Sequence, residues 1–89
     1  MRIRKYKNKT GCWYQSFPDF FINTNTRQVL RIIRAQGQGK VNYFIRVEDR
    51  DKEKSITIIQ GFEEKTEVVK QAWEWMIEHP EGITFEGGN

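Results

Sequence analysis

The chain has 89 residues, of which 37% are hydrophobic and 13% aromatic, and it carries a formal net charge of +3. This length suits one small domain with one core, so we expect a single domain over residues 1–89. No apolar run approaches the roughly 20 residues that span a bilayer, and the basic start leads into no apolar signal segment. The only cysteine is Cys12, which excludes an intramolecular disulfide and favours the cytoplasm.

Charge is divided unevenly along the chain. Residues 1–46 carry ten basic side chains against one acid, Asp19, for a charge of +9, whereas residues 47–89 carry five against eleven, for −6; the two sum to +3. This division is typical of a protein that turns a basic face towards a polyanion. Charges that only keep a domain soluble would give the same count.

The first elements in chain order are predicted to be short strands. Residues 2–7 place Ile3 among charged neighbours, a break follows at Thr10-Gly11, and residues 12–17 are rich in strand-forming side chains, which predicts a hairpin. Pro18 interrupts the ladder. Residues 20–22 then predict a short strand, and the polar residues 23–26 a turn or cap.

Residues 27–35 fit two templates. As a helix, the segment would have Asn25 as N-cap and Gly37 just past its end, and it would gather Arg31 and Arg34 on one stripe. As a strand, it is β-branched at positions 29, 32 and 33 and leads into residues 41–47, whose odd positions are all apolar. The strand is favoured, and it would place the two arginines on opposite faces.

The second half predicts a turn, a strand and a helix. Residues 48–54 are charged throughout and predict a solvated turn, and residues 55–60 resume a strand. From about 64 to 79 apolar residues recur at helical spacing, and Pro80 with Gly82 ends the helix. Residues 83–85 would add a short strand at the start of a tail over 83–89. We therefore predict an α+β fold: a small antiparallel meander of four to five strands within about 2–60, packed by one C-terminal amphipathic helix.

No constellation of residues predicts catalysis, a metal or a cofactor. A dyad of Cys12 with His79 is conceivable, but His79 lies at the helix end, where imidazoles commonly cap carbonyls. The carboxylates at 49, 51 and 53 are interspersed with basic residues and lack the glycine of a calcium loop. Residues 37–40 lack the spacing of a phosphate-binding loop and predict a turn. We expect a protein that is not an enzyme.

Basic residues interleaved with aromatics suggest a nucleic-acid face, because cations neutralise phosphates and exposed rings stack on bases. The same rings are also needed for the core. The candidate nucleic-acid-binding residues are Arg2, Arg4, Lys5, Lys7, Lys9, Trp13, Tyr14, Gln15, Arg31, Arg34, Lys40 and Arg46.

Two segments resemble a known family. Residues 1–17, MRIRKYKNKTGCWYQSF, are similar to the opening of the arm-type DNA-binding domains of phage and transposon tyrosine integrases. Residues 61–67, GFEEKTE, which lead into a helix with Trp73 and Trp75, resemble the strand-to-helix junction of those domains and of AP2 domains. The resemblance implies a protein of phage or mobile-element type whose sheet contacts the DNA major groove, with contacts at Lys7, Lys9, Trp13, Tyr14 and Gln15.

Two functions follow as hypotheses. The first is a non-enzymatic nucleic-acid-binding protein, with DNA expected rather than RNA and with no membrane partner. The alternative is a phage-type inhibitor or adaptor that engages a host protein through the acidic helix face, at Glu74, Trp75 and Glu78. Either protein would be a monomer or a homodimer paired through an exposed edge strand.

Overall fold

The computed structural model describes residues 9–10 and 12–84. The elements are β1 (Lys9–Thr10), β2 (Trp13–Phe17), β3 (Phe20–Asn23), β4 (Gln28–Gly37), β5 (Lys40–Asp49), β6 (Lys54–Phe62) and α1 (Lys65–Glu78). The strands follow one another in the sheet in chain order, and each neighbouring pair is antiparallel. The predicted α+β meander with one C-terminal helix is thus confirmed, with five main strands and the two-residue β1 at one edge. Predictions for residues 1–8 and 85–89 lie outside the described residues.

The segment that fitted both a helix and a strand pattern forms strand β4, so the strand prediction is confirmed. β4 pairs with β5 over ten residue pairs, from Gln28 with Asp49 to Gly37 with Lys40. The connection is the two-residue turn Gln38-Gly39, in which both residues have positive φ, at 54° and 78°. This is the geometry of a type I′ turn, whose twist matches the flanking strands, and glycine at the second position adopts it without steric cost. The turn predicted over residues 37–40 is confirmed.

The core lies between one face of the sheet and α1. Alternation along the strands turns one set of side chains towards the helix, and the helix presents residues at its 3.6-residue period. The fully packed cluster consists of Trp13, Phe21, Leu30, Ile32, Ile45, Val47, Val68, Ala72 and Met76. The odd positions of β5 that the sequence marked as apolar are on this face, as expected.

Three sheet side chains hold the segment that follows the helix. Each donates a hydrogen bond of 2.6–2.8 Å to a main-chain carbonyl: Trp13 Nε1 to His79, Asn23 Nδ2 to Pro80 and Gln28 Nε2 to Ile83. Gln28 Oε1 also accepts a bond from the Ile83 amide at 2.9 Å. Asn23 and Gln28 are buried, so these bonds satisfy amides that would otherwise be costly to bury. We call this set of contacts the post-helix tie.

The structure corrects two sequence predictions: the short strand at residues 83–85 and the solvated turn at residues 48–54. Ile83 and Thr84 are not in a strand, because the main chain of Ile83 bonds to a side chain instead of a ladder. The charged run is not all solvated turn either: β5 continues to Asp49, which is buried. Its carboxylate accepts bonds from the Lys52 amide at 3.0 Å and from Gln28 Nε2 at 3.4 Å. Those two donors compensate for the burial of a charge.

Replacement of Gly82 by alanine is expected to lower the free energy of unfolding by about 1–3 kcal/mol. Gly82 has a φ of +79°, and a Cβ there would collide with the side-chain amide of Gln28. Urea unfolding followed by tryptophan fluorescence measures the change. The matched control is Gly37→Ala, because Gly37 has an ordinary φ and open space around it; we expect a change within about 0.5 kcal/mol. Equal losses in both variants would show that the post-helix tie does not need this glycine.

Candidate nucleic-acid interface

The helix covers one face of the sheet, and the opposite face carries both basic and apolar side chains. Strand register and alternation assign the following residues to it: Tyr14, Phe17, Phe20, Ile22, Val29, Arg31, Ile33, Phe44, Arg46 and Glu48. We call this the open face. Among the described residues, α1 and the segment that the post-helix tie holds both lie on the other side. On the open face Phe17 and Arg31 are exposed, Val29 is buried, and the other seven residues are half-buried.

Two arginines lie side by side on the open face. Arg31 of β4 is directly opposite Arg46 of β5 in the register, whereas Arg34 is opposite Tyr43 on the helix-facing side. The strand separates Arg31 from Arg34, as the strand template implied. Like charges directly opposite each other repel, and Glu48 relieves part of this repulsion, since it forms an ion pair with Arg31 at 3.1 Å.

The other cations of β4 and β5 have no carboxylate partner within the described part of the chain. Ion pairs there join Arg27 to Asp51, Arg31 to Glu48 and Lys65 to Asp19. Arg34 donates a hydrogen bond to the neutral side chain of Gln36 at 3.3 Å. The guanidinium carbon of Arg46 lies 5.7 Å from the centroid of the Phe44 ring, and its buried Nε has no hydrogen-bond acceptor among the described residues.

The end of the β4–β5 hairpin extends beyond its neighbours. β3 pairs with β4 only as far as Arg31, and β6 pairs with β5 only as far as Tyr43. From Ala35 to Asn42 the two strands pair only with each other among the described residues. Residues 34–40 are all exposed, and no acid occurs between Asp19 and Glu48. The hairpin end is therefore a narrow, acid-free ribbon that carries Arg34 and Lys40.

The other residues predicted to bind nucleic acid lie in different environments. Arg2, Arg4, Lys5 and Lys7 lie outside the described residues. Lys9 pairs with Tyr14 at the edge of the sheet, and Tyr14 is half-buried on the open face. Gln15 donates a hydrogen bond to the Pro18 carbonyl at 2.8 Å, so its amide stabilises the turn after β2.

The structure corrects the role of Trp13. Its side chain has no exposed surface, because β2 turns it towards the helix while Tyr14 points to the open face. Its indole is hydrogen-bonded to the His79 carbonyl and meets Trp75 edge to face at 6.0 Å. A ring with no exposed surface cannot stack on a base, so Trp13 belongs to the core and not to the candidate contacts.

Trp75 is also occupied by packing. Its ring stacks on His79 at 4.1 Å with the planes 13° apart, and His79 Nδ1 is hydrogen-bonded to the Trp75 carbonyl at 2.8 Å. The imidazole thus caps a helix carbonyl, as its position suggested. Glu74 and Glu78 of the predicted acidic face are exposed, and the exposed side chain between them is Ile77.

The sequence left open which aromatic rings belong to the core, and three of them, Phe17, Phe20 and Phe44, lie on the open face. Phe17 is 65% exposed, and it meets Phe20 edge to face at 6.0 Å. Phe44 is half-buried there. A signal for Phe44 was present, since it falls at an even position in a strand whose odd positions form the core. No comparable signal exists for Phe17, because the strand register shifts between Gln15 and Phe17.

The described residues were also compared with the requirements of a metal site and of a membrane-spanning helix. Within residues 9–10 and 12–84, no group of three or more His, Cys, Asp or Glu side chains is arranged to hold a metal ion. The 14-residue helix is too short and too polar to cross a membrane, and it is the only helix in that part of the chain.

Comparison of this chain with protein-family models, curated proteins and solved structures yielded no match. The resemblance to integrase arm-type domains stays a prediction.

Removal of an aromatic ring is expected to lower the free energy of unfolding more on the helix-facing side of the sheet than on the open face. Phe21→Ala should lower the free energy of unfolding by about 3–5 kcal/mol, because a fully buried ring is replaced by a cavity. Phe17→Ala should change it by less than about 1 kcal/mol, because most of the ring already contacts water. Urea unfolding of both variants tests the assignment. A large loss for Phe17→Ala would place that ring in the core instead of on the open face.

Proposed function

We propose that this chain is a non-enzymatic nucleic-acid-binding protein that contacts phosphates through the cations of the β4–β5 hairpin. One observation carries the proposal: Arg34, Lys40 and Arg46 lie on one hairpin and have no carboxylate partner within the described residues. Unpaired cations on adjoining strands bind the phosphates of a polyanion without first breaking an internal ion pair.

The distribution of acids supports the hairpin as the binding surface. The exposed acids of α1, which include Glu67, Glu74 and Glu78, lie across the sheet from the open face. The turn over residues 50–53 holds further acids at the far end of β5 from the hairpin turn. A polyanion is repelled from those surfaces and attracted to the hairpin, so the charges orient the encounter as well as contribute affinity.

Binding to labelled DNA of about 30 nucleotides is expected to be steeply salt-dependent. If Arg34, Lys40 and Arg46 each neutralise one phosphate, affinity should fall about 20-fold for single strands and about 40-fold for duplexes between about 50 and 200 mM salt. The double variant Lys40→Glu/Arg46→Glu should weaken binding more than tenfold at the lower salt concentration, and it should flatten the salt dependence. Fluorescence anisotropy measures both quantities.

The matched control is Lys52→Glu/Lys70→Glu, which changes the net charge by the same amount on exposed residues of the acidic turn and of α1. It should retain most of the affinity. Equal losses in the two double variants would mean that only overall charge matters. No binding by the unmodified protein at the lower salt concentration would overturn the proposal.

A second candidate function is favoured by one exposed side chain. Ile77 is 62% exposed on α1, with Glu74 one helical turn before it and Glu78 next to it in the sequence. An apolar side chain between two acids suits a host protein with a basic rim around an apolar pocket. This surface replaces the one predicted around Trp75, which is packed against His79.

Under this second function, the protein retains a partner from cell lysate through the helix surface. Glu74→Lys/Ile77→Ser should abolish that retention, because it reverses one charge and removes the exposed apolar group. The control Glu53→Lys/Ile56→Ser makes the same chemical changes on the β5–β6 turn and on β6, where Ile56 is 43% exposed. Loss in the helix variant alone supports the function. Loss in both variants, or in neither, contradicts it.

A further inference from the structure

A row of four side chains crosses the open face from β2 to β5. In the strand register Phe17 pairs with Phe20, Phe20 with Arg31, and Arg31 with Arg46. We call these four residues the Phe–Arg row. With adjacent strands about 4.8 Å apart, the row spans about 14 Å. Aromatic rings occupy one end of it and guanidinium groups the other.

The aromatic end of the row is open to a ligand. Phe17 has the greatest exposure of the large hydrophobic side chains in the described part of the chain. Its ring is held by the edge-to-face contact with Phe20, with the planes 62° apart. An exposed, supported ring offers a flat apolar surface, and a nucleobase covers such a surface well by stacking.

The cationic end of the row has the groups that a phosphate needs. Arg46 forms no ion pair with a carboxylate among the described residues. Arg31 forms an ion pair with Glu48 at 3.1 Å, and the strand register places Arg31 directly opposite Arg46. A phosphate oxygen that reached this pair would relieve their mutual repulsion and accept hydrogen bonds from both.

We infer that the ligand of the open face is a single-stranded nucleic acid, with bases stacked on Phe17 and Phe20 and backbone phosphates at Arg31 and Arg46. This inference rests on the proposed nucleic-acid function and adds the strandedness of the ligand. The reason lies in the aromatic end: a duplex keeps its base faces stacked on one another and exposes only base edges in its grooves. Only an unpaired strand presents a base face to Phe17.

Three labelled ligands separate stacking from phosphate binding: a thymidine oligomer of about 30 nucleotides, an abasic oligomer with the same backbone, and a duplex of about the same length. The protein should bind the thymidine oligomer at least about fivefold more tightly than the abasic one, because stacking on one ring contributes about 5- to 150-fold in affinity. Phe17→Ala should lower affinity for the thymidine oligomer by at least about fivefold and leave the abasic affinity unchanged. Ile77→Ala is the matched control, since it removes another exposed apolar side chain, and it should alter neither affinity.

The outcomes distinguish the inference from the function on which it rests. Equal affinity for the thymidine and abasic oligomers, or tighter binding to the duplex, overturns the inference, while salt-dependent binding that is lost in Lys40→Glu/Arg46→Glu preserves the function. No binding to any ligand overturns both. If Phe17→Ala lowers the mass of the free protein in sedimentation and leaves every DNA affinity unchanged, the row is a contact between two copies, and the inference fails.

Discussion

The architecture depends on the fact that one helix can cover only one face of a sheet. The fully buried core side chains form a single cluster between the sheet and the helix. They come from β2, β3, β4, β5 and α1. Residues on the other face do not pack against the helix, and only Val29 among those assigned to it is fully buried. That this face holds two arginines and three phenylalanines, and not a uniformly polar surface, is the reason to look for a ligand there.

Among the described residues, the segment after the helix is held by more side-chain hydrogen bonds than the start of the helix, where Lys65 bonds to Asp19. Glu64 occupies the N-cap position in an extended conformation and makes no side-chain capping bond, so the first turn gains little local stabilisation. Beyond the last turn, by contrast, Trp13, Asn23 and Gln28 bond to the main chain. The burial of Val68, Ala72 and Met76 then completes the packing between these two ends.

Sequence patterns predicted those elements whose formation depends on residues close together in the chain. The helix expected over about 64–79 is observed at Lys65–Glu78, because its apolar period and its terminating proline and glycine lie within the segment itself. β-branching decided the strand at 28–37, and Gly37-Gln38-Gly39 marked its turn. Contacts between distant residues were not accessible in this way: the burial of Asp49 depends on Gln28, 21 positions earlier.

The candidate site was only partly predictable for the same reason. The sequence identified Arg31, Arg34, Lys40 and Arg46 as cations, but whether each has a carboxylate partner depends on the cross-strand register. Aromatic content likewise could not say which face a ring occupies. Trp13 and Tyr14 are adjacent, and alternation sends one to the core and the other to the open face.

The post-helix tie also has a consequence for the order in which the chain folds. Strand pairs of a meander join sequence neighbours and close short loops, whereas the three bonds of the tie join residues 66, 57 and 55 positions apart. Loop closure over such separations is entropically costlier, so local hairpins form early and the tie closes late. Interactions absent from the folding transition state act on the rate of unfolding. The few hydrogen bonds after the helix therefore govern how long the native state persists once it has formed, more than how fast it is reached.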